Sequence, residues 1–194
     1  MIRASRKRGW GLFLAVLISA LSPPAGAGHV VVGMARSSTC VGCHCVDAFE
    51  GDLYSPSLAG QRSDYLIVQL KAFREKTRVD PVMNKVAGDM SDVEIEDLAA
   101  YYASLKPLTD RTDKPNKRLV AQGKKRYKAC VGCHQSSGEG KGAMPRLAGQ
   151  QPGYLIRQLT SFQDGRRLHP GAGGAPRLTE KEMRALAEYM AYLK

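Results

Sequence analysis

The chain has 194 residues, of which 43% are hydrophobic and 24% charged, and its formal net charge is +11. This composition is that of a globular protein and excludes wholesale disorder and collagen-like repeats. The positive charge alone favours a nucleic-acid partner, but part of it belongs to an N-terminal segment that changes this interpretation.

Residues 1–27 have the pattern of a secretory signal peptide. Four basic residues precede an apolar stretch from Trp10 to Leu21, and small residues follow up to Ala27. The stretch has 12 residues, fewer than the ~20 of a membrane-spanning helix. We therefore expect a periplasmic protein, cleaved after about Ala27, with an uncleaved N-terminal anchor as the alternative. An exported protein meets no chromosome, so we expect no nucleic-acid partner.

The remaining sequence consists of two copies of one unit. Cys-Val-Gly-Cys-His occurs at 40–44 and again at 130–134, and Leu-Ala-Gly-Gln at 58–61 and again at 147–150. A Tyr-Leu-Ile-x-Gln-Leu-x-x-Phe segment and a final Leu-Ala-x-Tyr segment repeat with nearly the same spacing. Such regular self-similarity indicates an internal duplication.

The duplication predicts two domains, residues 28–106 and 118–194, joined by a polar linker at 107–117 that contains two prolines. The first domain has 8 Lys and Arg against 11 Asp and Glu, a net charge of −3, and the second has 14 against 5, a net charge of +9. The protein should therefore be an electrostatic dipole, whose basic domain docks an acidic partner.

The hydrophobic periodicity within each domain is helical. Residues 65–73 place their apolar side chains on one helix face, and 118–129 form a short basic helix. Capping boxes at 91–94 and 179–182 begin a helix near the end of each domain. No segment of the mature chain alternates as a strand, so the predicted fold class is all-α. Domains of roughly 75 residues bury little apolar surface and need something further to fill their cores.

Cys-x-x-Cys-His is the attachment signature of c-type haem, because two thiols at this spacing reach the two vinyl groups of the porphyrin and the imidazole reaches the iron. His44 and His134 are the expected proximal iron ligands. A zinc site usually needs a second ligand pair, and each unit has none of the right spacing. A thioredoxin-type pair would lie at a helix start after a strand, and no strand is predicted here. A structural disulfide would leave the repeated histidine unexplained. The expected attachment residues are Cys40, Cys43, Cys130 and Cys133.

With these motifs, the sequence resembles the dihaem cytochrome c4 family, which consists of two tandem class I cytochrome c domains. It is similar in build to the cytochrome subunit of flavocytochrome c sulfide dehydrogenase. The resemblance covers the whole mature chain and implies two covalently bound haem c groups near the domain interface. Pro56 and Pro145 match the family position whose carbonyl accepts the Nδ1–H of the proximal histidine.

The resemblance also implies the partners. A periplasmic cytochrome of this family carries single electrons in a respiratory chain, between redox proteins such as a terminal oxidase or a quinol-oxidising complex. Peripheral membrane association is compatible with this role. Because the sequence contains no nucleophile–base pair and no substrate motif, we expect an electron carrier and not an enzyme.

The sixth iron ligand differs between the two domains. The family uses a Met sulfur from the loop before the last helix, and Met83 lies in that predicted loop in the first domain. Met90 aligns with a leucine of the second domain and is expected in the core. The equivalent segment of the second domain contains no methionine. His169 is the only strong ligand there, and its coordination would lower the potential of the second haem. An open or water-bound iron and ligation by Met144 are the alternatives.

Two further functions remain open at this point. The second haem could be a catalytic or ligand-binding centre with an open sixth position, or the chain could be the haem subunit of a larger enzyme such as a flavocytochrome. Cys45, the odd fifth cysteine, is expected to be a small residue tolerated in its turn. An intermolecular disulfide and a misdirected thioether are the alternatives for it.

Overall fold

The computed structural model describes residues 28–44, 54–171 and 177–194. The expected signal peptide at 1–27 and the odd residue Cys45 lie outside the described residues. Every regular element of these three segments is a helix or a 3₁₀ turn, which confirms the all-α class. No helix within them is long and apolar enough to cross a membrane.

Each unit has an N-terminal helix, the Cys-x-x-Cys-His motif, a middle helix and a C-terminal helix. The first contains α1 (Val30–Arg36), a 3₁₀ turn (Ser37–Thr39), α2 (Ser63–Arg74), α3 (Pro81–Ala87) and α4 (Asp92–Ser104). The second contains α5 (Lys117–Tyr127), α6 (Val131–His134), α7 (Pro152–Gln163) and α8 (Glu180–Ala191). The basic helix predicted at 118–129 is therefore α5, whereas α1 was not predicted.

The N-terminal and C-terminal helices of each unit cross at close range. α1 packs on α4 and α5 packs on α8, and a glycine lies at each crossing. A Cβ atom built on Gly33 would lie 2.0 Å from the backbone oxygen of Asp97, and one built on Gly123 would lie 2.0 Å from that of Ala185. Because Gly33 and Gly123 are equivalent in the repeat, the duplication preserves this crossing.

The capping boxes set where the C-terminal helices begin. The Ser91 hydroxyl accepts the N–H of Glu94, whose carboxylate accepts the N–H of Ser91, and Thr179 and Glu182 do the same in the second unit. Both predicted boxes are thus present. Reciprocal caps satisfy two N–H groups that would otherwise have no helical partner.

The first cysteine of each motif packs against the hydrophobic core of its unit. In the first unit, Cys40 contacts the buried cluster of Leu66, Leu98, Ala99 and Tyr102. In the second unit, Cys130 contacts the buried cluster of Tyr127, Leu155, Leu178, Met183, Leu186, Ala187 and Met190. The two motifs are therefore anchored to cores built mainly from the middle and C-terminal helices.

The segment around Met83, expected as a loop, contains α3. The Asp80 carboxylate accepts the N–H groups of Val82 and Met83 at 3.1 and 3.0 Å, and Pro81 occupies the first helical position. An Asp cap followed by Pro is a strong helix-start signal that the loop prediction overlooked. The second unit has His169 in place of Asp80, and its described residues 168–171 are not helical.

Candidate functional site

Each Cys-x-x-Cys-His motif forms one helical turn. The His44 N–H donates to the Cys40 carbonyl at 3.0 Å, and the His134 N–H donates to the Cys130 carbonyl at 2.9 Å. Residues three apart share a helix face, so the two cysteines of a motif lie on one side of the turn. All four motif cysteines are free thiols, and each pair can therefore bind one group covalently.

The two motif histidines have the same hydrogen bond to a proline carbonyl. The distance from His44 Nδ1 to Pro56 O is 2.9 Å, and that from His134 Nδ1 to Pro145 O is 3.0 Å. Because a carbonyl only accepts, Nδ1 carries the proton and Nε2 is the unprotonated nitrogen that has the lone pair. This is the tautomer that a metal-binding imidazole needs. Burial lowers the pKa of His134, which favours the neutral ring.

His169 lies opposite the motif histidine of the second unit. Its ring centroid is 6.3 Å from that of His134, and its ring makes a T-shaped contact with the Phe162 ring at a centroid distance of 4.9 Å. The Nδ1 atom of His169 is buried and has no hydrogen-bond partner among the described residues. Burial, followed by the charges of His134 and Arg167, lowers the pKa of His169.

The spacing of these two rings fits a metal ion between them. An imidazole nitrogen binds a transition metal at about 2 Å, so two imidazoles on opposite sides of one ion have centroids about 6 Å apart. The observed 6.3 Å matches this value. Together with the free thiols of Cys130 and Cys133, the second site has the donor set for a covalently attached iron porphyrin.

Met83 is half-buried on the first turn of α3. The Asn84 side chain fixes this segment, because its amide donates to the carbonyls of Phe73 and Arg78 at 2.7 and 2.8 Å. The other two candidate methionines differ in position: Met90 packs against the core of the first unit, and Met144 is 45% exposed.

The described segments contain no cluster of side chains that could bind a metal ion without a porphyrin. No group of three or more His, Cys, Asp or Glu side chains converges there. Among the described residues there is thus no set of the four such side chains that a structural zinc ion takes.

The two units are joined by hydrogen bonds of residues that were not predicted as site residues from the sequence. Glutamines of the two Leu-Ala-Gly-Gln segments bond across the interface: Gln61 Nε2 donates to Arg146 O at 3.0 Å, and Gln150 Nε2 donates to Ser57 O at 3.0 Å. The sequence does show that these glutamines recur at a spacing of 89 residues. This recurrence marks them as equivalent in the repeat but does not predict that they lie at the interface.

A pair of arginines forms a second set of bonds across the interface. Arg78 donates to Gln69 Oε1 at 2.6 Å and to Gln158 Oε1 at 3.1 Å, and Arg167 donates to both of these oxygens as well. Arg167 also donates to the Tyr65 hydroxyl at 3.0 Å. In the described segments neither guanidinium has a carboxylate partner, so neutral acceptors hold two positive charges close together.

Comparison with known proteins identifies the same two units. The family model for cytochrome c matches residues 32–106 and again 120–194. Cytochrome c4 of Pseudomonas aeruginosa is 33% identical over 84% of this chain and 88% of its own length. A thiosulfate dehydrogenase electron acceptor of Thiomonas intermedia is 29% identical over 80% of this chain and 79% of its own.

The fold agrees with a solved structure. Reduced recombinant cytochrome c4 from Pseudomonas stutzeri superposes with a TM-score of 0.77 at 30% identity, over 87% of this chain and 100% of that one.

Proposed function

Because the chain belongs to the dihaem cytochrome c4 family of c-type cytochromes, we propose that it carries single electrons between redox partners of a respiratory chain. One observation carries this proposal most strongly. Each of two duplicated units holds a free Cys-x-x-Cys pair beside a histidine whose Nδ1 is bonded to a proline carbonyl. The boundaries at 28–106 and 118–194, with a linker at 107–117, are part of the proposal.

The family binds two haem c groups covalently, and the free thiols of the two motifs support attachment there. Cys40 and Cys43 bind one haem, and Cys130 and Cys133 bind the other. His44 and His134 supply Nε2 to the iron, while the carbonyls of Pro56 and Pro145 fix the imidazole planes. When bound, each haem supplies an iron that takes up and releases one electron.

We assign different sixth ligands to the two irons. Met83, held on α3 by its cap, offers a thioether to the first iron. His169, 6.3 Å from His134 between ring centroids, offers an imidazole to the second. A thioether favours the reduced state more than an imidazole does, so the first haem has the higher potential and electrons move from the second unit to the first.

The partners belong to the same proposal. The net charge of +9 on the second unit favours an acidic donor, which this unit docks. The acceptor is then a terminal oxidase, which receives electrons from the first unit. The alternative partner is a quinol-oxidising complex, which would donate electrons to the second unit. We place this exchange in the periplasm, after removal of residues 1–27.

A second candidate function follows from the relatives. One of them is named as the electron acceptor of thiosulfate dehydrogenase, so the donor to this chain could be an enzyme that oxidises a sulfur compound. In that case the chemistry on the substrate lies in the partner enzyme. An open catalytic iron in the second unit is disfavoured because His169 occupies the space opposite His134.

An optical redox titration of the purified holoprotein tests the main proposal. We expect two haems per chain and two separate one-electron steps, with the lower potential lost when Cys130 and Cys133 are both replaced by alanine. Steady-state turnover assays with thiosulfate and with peroxide should show no activity of the protein alone. A single one-electron step in the native protein, or catalytic turnover without a partner, would contradict the assignment.

A further inference from the structure

One peptide group in the first unit is hydrogen-bonded on both sides. The carbonyl of Pro56 lies 2.9 Å from His44 Nδ1, and the N–H of the same peptide, on Ser57, donates to Gln150 Oε1 at 2.8 Å. Gln150 belongs to the second unit, 93 residues further along the chain. A single peptide group therefore connects the proximal histidine of one unit to a side chain of the other.

The second unit contains the reciprocal arrangement. The carbonyl of Pro145 lies 3.0 Å from His134 Nδ1, and the N–H of Arg146 donates to Gln61 Oε1 at 2.7 Å. Gln61 belongs to the first unit. The two glutamines are equivalent in the repeat, so the crossed connection has the approximate twofold symmetry of the duplication.

The orientation of each glutamine amide is fixed by three hydrogen bonds, one of which its Oε1 accepts from the peptide of the other unit. Each Nε2 donates to the backbone carbonyl of the opposite residue, Ser57 or Arg146, at 3.0 Å. Each Oε1 also accepts the N–H of the residue that follows its glutamine in the sequence, at 2.9 Å. Both glutamines are only 5% exposed, so water does not compete for these bonds.

We propose that Gln150 and Gln61 are positioning residues that tune the reduction potential of the haem in the opposite unit. The inference rests on the proposed function, since it requires His44 and His134 to bind iron. A peptide whose N–H donates a hydrogen bond is polarised, and its carbonyl becomes a stronger acceptor. Stronger acceptance of the Nδ1–H raises the basicity of the imidazole.

A more basic imidazole stabilises the oxidised iron, so each glutamine lowers the potential of the haem across the interface. The arrangement makes the potential of each haem depend on the docking of the two units.

The test replaces each glutamine with methionine, which has a similar length but cannot make these amide bonds. In Gln150→Met the equilibrium constant for reduction of the first haem should rise about threefold, or about 28 mV at 59 mV per tenfold change. In Gln61→Met the second haem should show that shift. Potentials are measured by optical titration, with haem-methyl NMR signals assigning each potential to its unit.

Gln69→Met and Gln158→Met are the matched controls, because they remove the same group at the same interface without touching either peptide. They should not produce a crossed shift, in which a change in one unit moves the potential of the other. Gln150→Glu should shift the potential of the first haem in the opposite direction, because a carboxylate is a stronger acceptor than an amide and should lower that potential. It also replaces Gln150→Met should that variant fail to accumulate.

The outcomes separate the two proposals. A protein without two covalently bound haems contradicts the proposed function. If two haems are bound but their potentials stay unchanged, shift only within the mutated unit or shift equally in both units, the inference is overturned and the proposed function is not. Native-like haem content with crossed shifts of opposite sign in Gln150→Met and Gln150→Glu supports it.

Discussion

At the scale of single residues, the two units differ at the repeat position of Asp80 and His169, and only the first unit has a methionine in the segment that follows it. Position 80 is Asp80 in the first unit, where its carboxylate caps α3 and places Met83 on the first helical turn. The equivalent position in the second unit is His169, whose ring faces that of His134. One exchange in the repeat thus removes a helix cap and supplies an imidazole.

Replacing His169 with alanine should open the sixth position of the second haem. We expect the ferric spectrum to gain a high-spin component and the reduced protein to bind carbon monoxide at one haem per chain. His29→Ala is the control, because the exposed His29 side chain lies outside both sites. Identical spectra of the native protein and the His169→Ala variant would exclude coordination by His169.

Replacing Met83 with alanine should remove the thioether from the first iron. Because a thioether stabilises the reduced state, the potential of the first haem should fall while that of the second is unchanged. Met144→Ala is the matched control, since Met144 is 45% exposed. An unaltered first potential, measured by optical redox titration, would rule out Met83 as a ligand.

At the scale of helices, a glycine in the N-terminal helix sets the geometry of each unit. Gly33 and Gly123 let α1 and α5 approach the backbone of α4 and α8 so closely that no side chain fits between them. These crossings bring the N-terminal and C-terminal helices of each unit together, with the first motif cysteine on the adjoining core. The glycine at each crossing therefore acts on how the helices pack and supplies no group to the candidate haem site.

Gly123→Ala should destabilise the protein by about 1–3 kcal/mol, because the added methyl group must displace the backbone of α8. The expected result is a lower denaturation midpoint in guanidinium chloride at unchanged haem content. Gly132→Ala is the control, since a Cβ atom there meets no other atom within 4 Å. Equal midpoints for the two variants would show that the helices can separate at no cost.

At the scale of the whole molecule, the interface is polar and the charge is divided. The units meet through glutamine and arginine side chains, and the bonds of Gln61 and Gln150 reach the peptides beside the prolines that bond to the motif histidines. The first unit has a net charge of −3 and the second +9. On the proposed function, this division steers an acidic partner to the basic unit, and electrons leave through the other unit.

The rate of electron transfer from an acidic donor should fall steeply as ionic strength rises, because salt screens the attraction between exposed charges. Reversing the exposed charges of α5 in a Lys124→Glu, Lys125→Glu variant should slow the reaction and flatten its salt dependence. Lys106→Glu, 83% exposed at the side chain in the first unit, is the control. Stopped-flow rates that do not depend on salt would contradict docking at the second unit.

The local patterns of the sequence were sufficient for much of this protein. The repeated Cys-x-x-Cys-His motif, the duplication and the two capping boxes predicted haem chemistry, two all-α units and the start of each C-terminal helix. All of these depend on residues close in the sequence, whose spacing fixes which groups meet within one turn. The cap of α3 by Asp80 was of the same kind and was overlooked.

Only the tertiary structure decided which distant groups meet. It places His169 opposite His134, forms the bonds of Arg78 to Gln158 and of Arg167 to Gln69, and joins Gln61 and Gln150 to the peptides of the other unit. These contacts connect residues 35 to 98 positions apart. Such contacts depend on how helices dock, and docking is set by the summed burial of many side chains. No spacing in the sequence encodes it.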